Sequence, residues 1–233
     1  MSKMLVKHIL ILAFRALLLV TALYLYFSDK TKPDYTEILS QGSLFLFVVW
    51  IVLVIGMVLR IVPNKQIAMG ARKHYRCSYN EIPDITVSKQ MKNRVNKGVI
   101  KCAIAWIAFS SALFFLLYML NLNTPPIIMI IVLTYSVLDI IFILCICPFK
   151  MLFMRNRCCA VCRIYNWDYF MMCTPMLLFP HIYSISLLIL SVVVLLTWEI
   201  SVWKNPGYFV TDTNKNLSCE QCKDRLCLLR RGK

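Results

Sequence analysis

The chain of 233 residues is 60% hydrophobic and carries 26 Lys and Arg against 11 Asp and Glu, a formal net charge of +15. The apolar share exceeds the about 45–50% of soluble domains. It falls in nearly uncharged runs long enough to cross a hydrocarbon layer, which excludes an ordinary soluble fold. The basic residues gather in particular loops between those runs, as the positive-inside bias requires, so no nucleic-acid partner is expected.

The first apolar run predicts a helix over 5–27. It is too long for the core of a signal peptide, and no small-residue cleavage pattern follows Tyr26-Phe27-Ser28-Asp29, so a retained spanning helix is expected. Lys7 and His8 can snorkel to headgroups. Arg15 lies about 15 Å inside at 1.5 Å per residue. At that depth it must face protein or a water-filled cavity.

Residues 28–42 form a polar loop with two Lys against two Asp and one Glu. It is the least basic sizeable loop and is assigned to the outside. A second span follows over 43–62. The loop 60–101 then carries ten basic residues and two acidic ones, Glu81 and Asp84. That bias places it in the cytoplasm, against anionic lipid headgroups. Short surface helices are expected over 64–74 and 86–97, separated by Ile82-Pro83-Asp84. The spacing His74-x2-Cys77 is weak as a zinc pattern and reads as two unrelated surface residues.

The third span is expected over 102–122 and the fourth over 127–149, joined by the uncharged turn Asn123-Thr124-Pro125-Pro126. Asp139 reaches a depth similar to that of Arg15, counted inward from the opposite end, so an intramembrane Arg15–Asp139 pair is predicted. Such a pair either fixes helix packing or lines a proton or ion path.

The segment 150–166 has four basic residues and no acid, and is assigned to the cytoplasm. Beyond it, 167–203 is mostly apolar but broken by Pro175 and Pro180. Two full spans need roughly 40 residues and a turn. The expectation is therefore a short, proline-broken or re-entrant segment over 167–180 and a full span over 182–203. His181 sits at the break, as a site candidate or a cap. Asp168 is expected to cap the entering helix or to meet Arg163, and Glu199 to pair with Lys204. This arrangement returns the basic tail 204–233, with seven basic and three acidic residues, to the cytoplasm.

There are 11 cysteines. Cys102, Cys145, Cys147 and Cys173 lie in apolar runs and read as small core fillers. Two clusters differ: Cys158-Cys159-x2-Cys162 and Cys219-x2-Cys222-x4-Cys227. Two residues between thiols let both sulfurs reach one ion, and two such pairs supply a tetrahedral shell. Cys159, Cys162, Cys219 and Cys222 are the candidate metal ligands, with Cys158 and Cys227 as spares. Zinc is the first choice and an iron–sulfur cluster the second. The neighbouring Arg157, Arg163, Lys223 and Arg225 would offset thiolate charge. The same spacing also supports thiol–disulfide exchange.

No phosphate-binding loop, dinucleotide fingerprint, zincin helix or nucleophile elbow occurs. The chain has only six Gly, 12 scattered Met and three His at different depths. Neither a bis-histidine haem nor a copper relay is expected.

The expected architecture is an all-α polytopic bundle in the inner or plasma membrane, of about five full spans plus one short segment. Its N-terminus is placed in the cytoplasm. The expected function is a metal-thiolate membrane protein of redox or sensing type. Two alternatives stand beside it. One is a small transporter or channel-like scaffold with structural zinc and an Arg15/Asp139/His181 path; the other is a membrane thiol oxidoreductase. Whether the chain is an enzyme stays open.

Overall fold

A computed structural model describes residues 3–28, 35–61, 74, 93, 96–145, 147–154, 162–210, 214 and 217. Helices make up most of the described residues, and no strand occurs among them. The long ones are α1 (Lys3–Ser28), α2 (Tyr35–Ile61), α3 (Val99–Met119) and α4 (Pro125–Leu144). A short helix, α5 (Asp168–Cys173), precedes the last long one, α6 (Ile182–Lys204). All five long helices are long and apolar enough to cross a membrane. A helix satisfies its own backbone hydrogen bonds, which is what an apolar run in hydrocarbon requires. Large side chains such as Ile104, Ile107, Phe115 and Leu196 stand out from the bundle, an apolar outer surface compatible with lipid.

The boundaries shift where local chemistry overrides hydropathy. α2 begins at Tyr35, inside the stretch read as a polar loop. α4 stops at Leu144, short of the expected 149, because Cys145 leaves helical backbone angles (φ −103°, ψ −92°). Pro148, which has no N–H to give, follows three residues later. The chain then winds one wide turn over Lys150–Met154. Between α3 and α4, Asn121 turns the chain with φ 52°, a left-handed conformation that Asn tolerates better than most residues. Pro125 and Pro126 open α4, where missing N–H groups leave no carbonyl unpaired.

The proline-broken segment is real. Tight 3-10 turns, Tyr165–Trp167 and Thr174–Leu178, flank α5, the second with Pro175 in its first turn. At 1.5 Å per α residue and 2.0 Å per 3-10 residue, 165–178 extends about 25 Å, nearly the hydrocarbon thickness. Most of its side chains are buried. Tyr169, Met172, Cys173 and Met176 join Leu18 and Ala22 of α1, Leu53 and Met57 of α2, Val132 and Leu133 of α4, and Leu187 and Val194 of α6 in the main core. The short segment is thus the axis about which α1, α2, α4 and α6 pack. α3 stands outside that core.

A second cluster fixes which ends lie together. Leu5 at the start of α1, Tyr165, Trp198 and Val202 near the end of α6, and Phe209 and Val210 beyond it pack as one group. The beginning of the first helix and the chain after the last therefore share one end of the bundle. The chain runs along the bundle an even number of times to do so, with 165–178 as the arm that leads back to the start of α6.

Candidate functional site

Each inward-facing charge in the described bundle is met by an opposite one. Arg15 donates through Nη1 to Asp139 Oδ2 at 3.2 Å and to the carbonyl of Ser136 at 2.7 Å. Both side chains are largely enclosed, at 12% and 18% exposure. The pair predicted from depth alone therefore forms, and it joins α1 to α4.

A second pair was not foreseen. Arg60, in the last turn of α2, donates to Asp168 at the start of α5. Its guanidinium lies over the rings of Tyr169 and Tyr165, with centroids 4.6 and 5.4 Å away. Asp168 also accepts the Tyr169 N–H at 2.9 Å. It serves neither of the roles read for it beyond that local bond, since Arg163 is turned elsewhere.

Arg163 forms the third pair, with both guanidinium ends on the two carboxylate oxygens of Glu199. Glu199 thus takes Arg163 in place of the expected Lys204, and also accepts Trp167 Nε1 at 2.6 Å. Planar bidentate geometry makes this the most directional of the three pairs. Sequence reasoning missed both partners for one reason: the pairing depends on the register of the short segment against α2 and α6, which no local spacing encodes.

His181, grouped by sequence with Arg15 and Asp139, has a different setting. It precedes α6, stacks against Phe179 (6.0 Å between centroids) and lies 5.4 Å from Tyr183. Tyr183 in turn neighbours Trp50 of α2.

At the Leu5 end, Trp198 is a hub. Its Nε1 donates to the Arg163 carbonyl at 2.8 Å, and its ring meets Phe209 at 5.1 Å and His74 at 5.3 Å. His74 is wholly buried, not the surface residue expected. Asn214, also wholly buried, donates through Nδ2 to the carbonyls of His74 and Tyr208, both at 3.0 Å. Leu217 N–H donates to the Asn214 carbonyl. The loop after α2 and the chain after α6 are stitched together here.

Of the candidate metal ligands, Cys162 is described. It is buried, its carbonyl accepts the Tyr165 N–H at 3.0 Å, and it packs with Cys102, Ile164 and Met171. Cys158, Cys159, Cys219, Cys222 and Cys227 lie outside the described residues, as does Cys77. Among the described residues no group of three or more His, Cys, Asp or Glu is placed to hold a metal. Of the cysteines read as fillers, Cys102 and Cys173 are fully buried, Cys145 is exposed, and Cys147 borders a cavity.

That cavity, of about 400 Å3, lies between α3, α4, the Lys150–Met154 turn and the short segment. Asp139 and Asp168 reach its wall, so two of the ion pairs border it. Its wall is otherwise largely aromatic and aliphatic. Comparison of the chain with protein-family models, with curated proteins and with solved structures finds no match.

Proposed function

We propose that this is a multi-pass membrane protein of sensing or redox type, in which one metal ion joins the loop after α4 to the C-terminal tail. Cys159, Cys162, Cys219 and Cys222 would be its thiolate ligands, with Cys158 and Cys227 in reserve. Four thiolates in two pairs suit zinc first and an iron–sulfur cluster second. The observation that carries the reading is the hub at Trp198. It touches Arg163, the residue after Cys162, and Phe209 on the tail side. The tail is held as far as buried Leu217, two residues before Cys219. Cys162 and Leu217, the described residues nearest the two cysteine pairs, thus lie toward one end of one bundle.

The basic bias of 60–101 and of the tail puts that end in the cytoplasm, with the loop against anionic headgroups. In this reading the Arg15–Asp139 pair is a packing clamp, because each charge is already satisfied by the other.

The test is metal content with an absorption spectrum, on protein purified without air. About one zinc per chain without visible bands supports a structural or sensing staple. Iron with a broad band near roughly 400 nm supports electron transfer. Cys219→Ser with Cys222→Ser should remove the metal in either case. Metal-free wild-type protein would sink the shared site.

A further inference from the structure

Among the described residues, none of α3 joins the main core. Of its 21 residues only Cys102, Ser110 and Leu117 are buried, and Ile104, Ile107 and Phe115 stand well out of the bundle. The helix rests on the wide turn Lys150–Met154 and on the second 3-10 turn. Its firmest point is near its start, where Cys102 packs with Cys162, Ile164 and Met171 in a satellite cluster.

Further along, the cavity takes the place of packing. Trp106 and Phe109 form the α3 side of its wall, and Tyr135, Leu138 and Phe142 the α4 side. Side chains that face a void of about 400 Å3 forgo the dispersion contacts that a packed helix makes. Among the described residues, one hydrogen bond joins an α3 side chain to another element, from Trp106 Nε1 to Thr174 Oγ1 at 3.3 Å, which is longer than usual. Both ends of the helix are bounded by residues in left-handed conformation, Gly98 before it (φ 90°) and Asn121 after it (φ 52°). A few residues at element ends are where moving elements absorb changes of φ and ψ. Segments with few buried apolar contacts open at lower free energy than the core does.

We infer that α3 is a lateral gate. It swings out about Gly98 and Asn121, parts Trp106 from Thr174, and opens the cavity sideways while α1, α2, α4 and α6 stay packed. The gate does not depend on the metal reading.

Two native thiols test this within one molecule. Cys102 on α3 and Cys173 in the main core are both fully enclosed. The full chain in detergent is treated with N-ethylmaleimide, and alkylation of each cysteine is followed over time by mass spectrometry of its peptides. Exposed Cys145 measures the access of the reagent. Cys102 should react about tenfold faster than Cys173 or more, because a local opening costs less than opening the core. Trp106→Phe, which removes the bond to Thr174, should speed Cys102 by about another two- to tenfold, the span of one neutral hydrogen bond, and leave Cys173 unchanged. Cys102 reacting no faster than Cys173 would overturn the gate, since both thiols would then wait for the whole bundle to unfold. So would a Trp106→Phe variant in which Cys102 is not accelerated, or in which both thiols are accelerated alike.

Discussion

Arg163 and Glu199, 36 residues apart, meet through two parallel hydrogen bonds, while the Arg163 carbonyl accepts from Trp198, the neighbour of Glu199. One residue is thus held to α6 by its side chain and its backbone together. Removing one member of an enclosed pair leaves the other charge without compensation, which is worse than removing both. Arg163→Ala should lower stability by about 2–4 kcal/mol. Arg163→Met with Glu199→Leu should recover much of that. Thermal unfolding in detergent, followed by circular dichroism, reads both. A double variant as weak as the single one would contradict the ion-pair account.

Asp139→Leu strands Arg15 inside the bundle, though Arg15 keeps its bond to the Ser136 carbonyl. The expected loss is about 3–5 kcal/mol, largely restored by adding Arg15→Leu. Metal content should not change. Loss of metal in Asp139→Leu would mean that the pair and the thiols are coupled across the bundle.

Gly56 marks a close approach of α2 to the short segment. A Cβ there would fall 2.2 Å from Tyr169 Oη and 3.1 Å from its Cζ. The Tyr169 ring has little room to yield, being 5% exposed and covered by the Arg60 guanidinium. Gly56→Ala should therefore destabilise by about 1–3 kcal/mol, as overpacking does. Adding Tyr169→Phe deletes the nearest clashing atom and should return most of the loss, a non-additivity expected of residues in contact. Strictly additive effects in a thermal melt would show that the clash is relieved elsewhere.

Topology is open to a direct check. Leu5 and Phe209 share one cluster, whereas Asn121 lies in the turn between α3 and α4. Epitope tags at the two termini should be cleaved or protected together when sealed vesicles are treated with protease. A tag inserted after Asn121 should behave oppositely. Termini on opposite sides would mean that 165–178 does not act as a return arm.

Much of the fold was legible because lipid imposes a simple rule: long uncharged runs become helices, and prolines end them. The break at Pro175 and Pro180 followed from that rule, as did the shared depth of Arg15 and Asp139. The Arg60–Asp168 and Arg163–Glu199 pairs did not. They arise from how a short segment seats between helices distant in sequence, which also shapes the cavity around Trp106; His74 is buried against Trp198 and Phe209 instead. The metal ligands were legible only as spacing. Of the four, Cys162 alone falls among the described residues, and it is packed against apolar neighbours.

The Arg15–Asp139 contact also constrains how the molecule is made. Its two members are separated by 124 positions. At a synthesis rate of about 5–20 residues per second, the aspartate emerges roughly 6–25 s after the arginine. For that interval α1 must wait with an uncompensated cation, either sheltered by the insertion machinery or shallow in the membrane with Arg15 reaching for headgroups. Only when α4 arrives can α1 settle to its final depth. The first helix to be made is therefore among the last to be placed.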